Sequence, residues 1–203
     1  TDRAMVMVLS NVTKAMAYLL KMYILYIMDI NLLVNLSARA WALPLLACMH
    51  RGVAGRQAAL IHATGAGRTA FRQSLDHLLE MKLLERNPGH GHPLRPEFRL
   101  TALGARVAYV ADQVEQLVPG EEQQVLLRRA WTLPVLSRLE EPMRFTEIKR
   151  GLPTITDRAL SLSLQRLEQA RWLQRDVDTE ARPPRAIYAA RDEGFKIGRL
   201  MAA

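Results

Sequence analysis

The chain has 203 residues, 49% hydrophobic and 24% charged, a balance that excludes wholesale disorder and allows one large domain or two small ones. A formal net charge of +8 and a pI near 10.1 point to a polyanionic partner, either nucleic acid or an anionic membrane surface. The single cysteine, Cys48, excludes an intramolecular disulfide, and with no secretory-signal pattern the expected location is a reducing, cytoplasmic one.

Residues 1–36 read as an apolar N-terminal helical segment, densest from Ala15 to Leu36. Lys21 and Asp29 would each fall inside a membrane span, at about 2.5–3.5 kcal/mol per charge, which argues against a membrane partner. The same residues suit a docking or dimerisation helix, and with the linking helices farther along the chain they would pack between units or between chains, so a homodimer through the N-terminal and linking helices is expected. The chain opens on Thr1, and Met28 stands before the more ordinary sequence, so residues 1–27 also read as upstream sequence.

From there the chain repeats itself with a period of about ninety residues. Trp41-Ala42-Leu43-Pro44-Leu45-Leu46 returns as Trp131-Thr132-Leu133-Pro134-Val135-Leu136. Leu75, Leu78, Leu83, Leu84 and Arg86 return as Leu164, Leu167, Trp172, Leu173 and Arg175. Phe98 then answers to Tyr188 and Gly104 to Gly194. The organisation expected is a first unit at 37–104, linking helices at 105–130 and a second unit at 131–203.

Each unit opens with a helix whose proline falls in an early turn, where its missing N–H costs little. In the second unit Arg144 to Ile148 starts a short helix, with Thr146 as its cap and Gly151-Leu152-Pro153 as its end. Thr156 caps a third helix whose Leu160, Leu164 and Leu167 form one buried stripe. In the first unit Thr64-Gly65-Ala66-Gly67 is the turn, and Phe71, Leu75, Leu78 and Leu79 are the stripe. Leu83 to Arg86 and Pro96 to Thr101 predict two strands around a Gly- and Pro-rich loop, as do Trp172 to Arg175 and Arg185 to Ala189. Between the units, Val107, Val110, Val114 and Leu117 have helical spacing, broken at Pro119-Gly120 before a second run through Leu127. The fold class expected is mainly α with small β-hairpin wings, a winged helix-turn-helix repeated in tandem.

The second unit resembles the HxlR family of winged-helix regulators, related to the MarR-like group. The resemblance rests on Trp131 with Leu133-Pro134-Val135-Leu136, on Arg144-Phe145-Thr146-Glu147-Ile148, on Leu152 to Ser161, and on Leu164-x-x-Leu167-Glu168. Pro183-Pro184-Arg185, Tyr188 and Gly194 continue it, while Ala189-Ala190-Arg191 departs from the family's usual Leu-Thr. The first unit is similar but more diverged. The resemblance implies a transcriptional regulator that binds double-stranded DNA, with the fused pair acting as an internal dimer.

DNA affinity comes largely from cations on phosphates, whereas sequence is read by a helix in the major groove. In the first unit this points to Arg68, Thr69, Arg72 and Gln73 on the third helix and to Arg86, His90 and Arg95 around the wing. In the second it points to Thr156, Arg158, Ser161, Gln165 and Arg166 on the helix and to Arg182 and Arg185 around the wing. The first unit is the more basic, with nine Lys and Arg against four Asp and Glu at 37–100, compared with thirteen against ten at 131–203.

Other chemistry finds little support. His90 and His92 lack the further ligands a metal site needs, so no metal is expected. Gly65-x-Gly67 lacks the strand and longer glycine pattern of a phosphate loop, and no cofactor is expected. No Ser, His and acid set suggests an enzyme. The competing expectation is a winged-helix protein-interaction module that does not touch DNA.

Overall fold

The computed structural model describes residues 29–92, 95–152, 154–179 and 184–201, with backbone alone at 89–92 and 95. Most of the apolar N-terminal segment lies outside the described residues. Its last part forms α1 (Ile30–Ser37), capped by Asp29, whose carboxylate accepts the Leu32 N–H at 2.6 Å.

α2 (Ala42–His50) follows Trp41 and is buried from Ala42 to Cys48, with Pro44 in its first turn. α3 (Gln57–Thr64) ends at Gly65, whose φ of 69° is the left-handed conformation that a side chain would oppose. α4 (Arg68–Glu80) buries Phe71, Leu75 and Leu78 as the spacing predicts, while Leu79 is only partly covered. β1 (Leu84–His92) and β2 (Arg95–Leu100) form an antiparallel hairpin. The Gly- and Pro-rich stretch after Arg86 predicts a loop, but the strand continues through Asn87 to His92. A register shift between Arg86 and Gly91 takes up the extra residues that the Pro88-Gly89 stretch introduces.

α5 (Ala102–Leu117) starts earlier than the apolar spacing suggested, because Thr101 caps it. The Thr101 hydroxyl accepts the Gly104 N–H at 2.9 Å and donates to the Lys82 carbonyl at 2.8 Å. α6 (Glu121–Leu127) follows Pro119-Gly120. α7 (Thr132–Arg138) then opens the second half, with Pro134 in its first turn. A short strand, β3 (Met143–Arg144), precedes α8 (Phe145–Gly151). Thr146 is not the cap of α8. The Glu147 carboxylate accepts the Arg144 N–H at 2.7 Å, which makes Arg144 the capping position and places Thr146 inside the helix. α9 (Asp157–Gln169) is capped by the Thr156 hydroxyl, at 3.2 Å from the Ala159 nitrogen. β4 (Leu173–Asp178), β5 (Arg185–Ala190) and β3 make one antiparallel sheet in the order β3-β5-β4, and α10 (Asp192–Met201) follows.

The two halves share unusual details. Lys82 and Arg171 are both left-handed, at φ 55° and 61°, two residues past the ends of α4 and α9. The next residue in each half turns its N–H back to the helix, Leu83 to Leu78 at 3.0 Å and Trp172 to Leu167 at 2.9 Å. The Ser74 and Ser163 hydroxyls each donate to the carbonyl four residues earlier, at 2.9 and 2.8 Å. A Cβ on Gly104 would stand 1.8 Å from the Leu83 oxygen, and one on Gly194 would stand 2.1 Å from the Trp172 oxygen. The turn that leads into each hairpin and the helix that follows the hairpin therefore approach closely at both places.

The halves also pack on each other: α1 lies against α7, and α5 against both α2 and α10. The Arg128 guanidinium, at the end of α6, sits 4.4 Å above the Trp41 ring. Leu33, Leu36, Val107, Val110, Val114, Leu133, Leu136 and Ile197 all lie in the core. At one end of α5, Arg51 bonds Asp112 and Glu115, both at 3.0 Å, and its other contact is the buried Cys48 sulfur at 3.4 Å. Burial opposes the Arg51 charge, but bonds to Cys48 and Glu115 outweigh it and drive its pKa up. Burial also raises the Glu115 carboxyl above its ordinary value, against the opposing pull of Arg51. Among the described residues no single helix is long and apolar enough to cross a membrane.

Candidate nucleic-acid interface

On α4 the buried stripe leaves Arg68, Thr69, Arg72 and Gln73 exposed together on the opposite face. Arg72 is partly neutralised by Asp76, one turn on, at 3.8 Å. On α9 the same geometry exposes Arg158, Ser161 and Gln165. Thr156 is exposed at the start of that helix, with its hydroxyl oxygen already engaged as the cap. Arg166 is half-buried and lines a groove with Glu122 and Arg129, away from the centre of the exposed face.

Around the hairpins, Arg86 and Arg185 are exposed. Among the described residues Arg68, Arg86, Arg158 and Arg185 form no ion pair, so their charge stays available to a polyanion. His90 and Arg95 have strand backbone in β1 and β2, and their side chains lie outside the described residues, as does the whole of Arg182.

Three features were not singled out from the sequence. Arg56 and His62 line an open groove with Arg68 and Pro96, between α3, the start of α4 and the hairpin. Arg56 reaches this place because its backbone bridges to Glu97 in β2, and its side chain lies 3.7 Å from the Glu97 carboxylate. In the second half Lys149 of α8 pairs with Asp157 at the start of α9. Leu162 stands on the exposed face of α9 with 40% of its surface accessible, among Arg158, Ser161 and Gln165. The i, i+4 and i+7 stripe from Leu160 leaves it on the outward face, a signal the sequence already holds.

Comparison with known proteins places this second half. Residues 126–203 match the family of HxlR-like helix-turn-helix domains. An uncharacterized HTH-type transcriptional regulator of Methanothermobacter thermautotrophicus is 38% identical over 74 residues, which are 36% of this chain. The match spans 56% of that relative, about half its length. Among solved structures, the reduced form of the transcriptional regulator YodB from B. subtilis is 29% identical, covering 38% of this chain and 76% of that one with a TM-score of 0.35. A MarR-family regulator from Porphyromonas gingivalis W83 is 23% identical, covering 42% and 74% with a TM-score of 0.32. The family match spans the end of α6 and the elements after it, including the third helix, the hairpin and the closing helix, so residues 126–203 are similar to HxlR-like helix-turn-helix domains.

Proposed function

We propose that the chain is a cytoplasmic, DNA-binding transcriptional regulator built from two winged helix-turn-helix units, at 37–104 and 131–203, joined by linking helices at 105–130. The observation that carries this reading is the shared construction around α4 and α9. Each helix is followed within two residues by a left-handed basic residue, then by a hairpin and by a helix whose glycine lies against the turn. Each also turns a polar, arginine-bearing face to solvent. In this reading α4 and α9 enter major grooves and the hairpins lie along adjacent backbone.

The two units pair within one chain, because α1 and α5 already place their apolar faces in its core. A homodimer would form through the N-terminal segment and the remaining surface of the linking helices, where Val125 is exposed. Two linked contacts raise the effective affinity beyond that of either alone. The test is a salt titration of the full chain on a duplex from its own upstream region, beside a scrambled duplex of equal length. Steep salt dependence with preference for the native duplex is the expected result. No binding to either duplex near physiological salt would overturn the reading in favour of a protein-interaction module.

A further inference from the structure

α4 and α9 have the same construction but do not present the same chemistry. Aligned on their buried stripes, Phe71 matches Leu160, Leu75 matches Leu164 and Leu78 matches Leu167, so outward positions can be compared one for one. Thr69 then corresponds to Arg158, Arg72 to Ser161, Gln73 to Leu162 and Asp76 to Gln165, and all eight are exposed. None of the four pairs is identical. At about 100° per residue, Gln73 and Leu162 stand two residues past the buried Phe71 and Leu160 and nearly opposite the stripe. They occupy the centre of each outward face, where a helix lying in the major groove meets base edges.

We infer that the chain reads a non-palindromic DNA element in one fixed orientation, with unlike half-sites set by Gln73 at one and Leu162 at the other. The inference rests on the two-unit reading above. Identical recognition helices related by a twofold axis demand an inverted repeat, whereas unlike helices remove that demand. The chemistry of each centre also differs. The Gln73 amide both donates and accepts, which suits the paired donor and acceptor on an adenine edge. Leu162 offers no hydrogen bond, and the base feature that rewards an apolar side chain in the major groove is the thymine methyl. Its exposed neighbours Arg158, Ser161 and Gln165 give it polar and cationic surroundings in which phosphate and base contacts can form.

The test is selection of randomised duplexes by the full chain, followed by affinity measurements on the selected element and on the two palindromes made by duplicating either half. The expected outcome is an asymmetric consensus that binds about tenfold or more tightly than either palindrome. Replacing thymine by uracil at the α9 half-site removes one methyl and should weaken binding about fourfold. Leu162→Gln, an exposed change that leaves the core intact, should abolish that methyl sensitivity and alter the consensus in that half only. A palindromic consensus, or equal affinity for the selected element and the palindromes, overturns the inference and leaves two-unit DNA binding standing. Failure to bind any duplex overturns both.

Discussion

Gly104 and Gly194 occupy places where a methyl group would collide with a backbone oxygen, so the side chain they lack is what lets α5 and α10 approach the turns at Leu83 and Trp172. A backbone oxygen cannot swing aside as a flexible side chain can. Gly104→Ala and Gly194→Ala should therefore each cost about 3 kcal/mol or more, read as a lowered urea midpoint. Wild-type midpoints in both variants would contradict the close approach. Glu115 carries a prediction of the opposite kind. Burial makes its ionised form less favourable in the folded chain than in the unfolded one, despite Arg51. Its contribution to stability is complete below the ordinary value of 4.5 and is lost as pH rises through the higher folded value. Glu115→Gln should therefore gain stability relative to the parent as pH is raised from below 4.5 to neutrality, and parallel melts of the two proteins check it. A difference that stays flat across that range would mean that the pairing with Arg51 offsets burial fully.

The caps and faces of the helices were largely legible in the sequence. The stripes from Phe71 and Leu160, the cap at Thr156 and the turn at Gly65 follow from spacing and side-chain chemistry alone. The missed cap of α8 has a physical reason: Thr146 and Glu147 both suit an N-terminus, and the Glu147 carboxylate, one residue farther on, reaches back to the Arg144 N–H. The hairpin loop was overdrawn because proline and glycine read as loop, whereas an irregular register lets the strand continue past them. Thr101 ties the end of β2 to the start of α5, and Thr101→Ala should destabilise the chain by about 1–2 kcal/mol in chemical denaturation. On the outward faces, Arg68→Glu and Arg158→Glu should leave the fold and melting temperature nearly unchanged. Each should weaken DNA binding and lower the slope of log affinity against log salt by about one per lost phosphate contact. A variant with the wild-type slope would remove that arginine from the interface.

How the halves pack on each other was not legible, because the apolar faces of α1 and α5 announce a need for cover and not what covers them. Apolar spacing is the same whether a face meets its own unit, the other unit or a second chain. With α1 against α7 and α5 between α2 and α10, the chain should unfold as one cooperative body. Fluorescence from Trp41 and from Trp172, isolated by replacing the other tryptophans, should report coincident midpoints, and two separated transitions would show that the halves melt independently. The same arrangement bears on how the protein is made. α1 is synthesised long before its partner α7, and at about 5–20 residues per second the ribosome takes several seconds or more to supply it. Through that interval Leu33 and Leu36 have no α7 to pack against, so the nascent first half presents an apolar surface that chaperones can bind until the second half arrives.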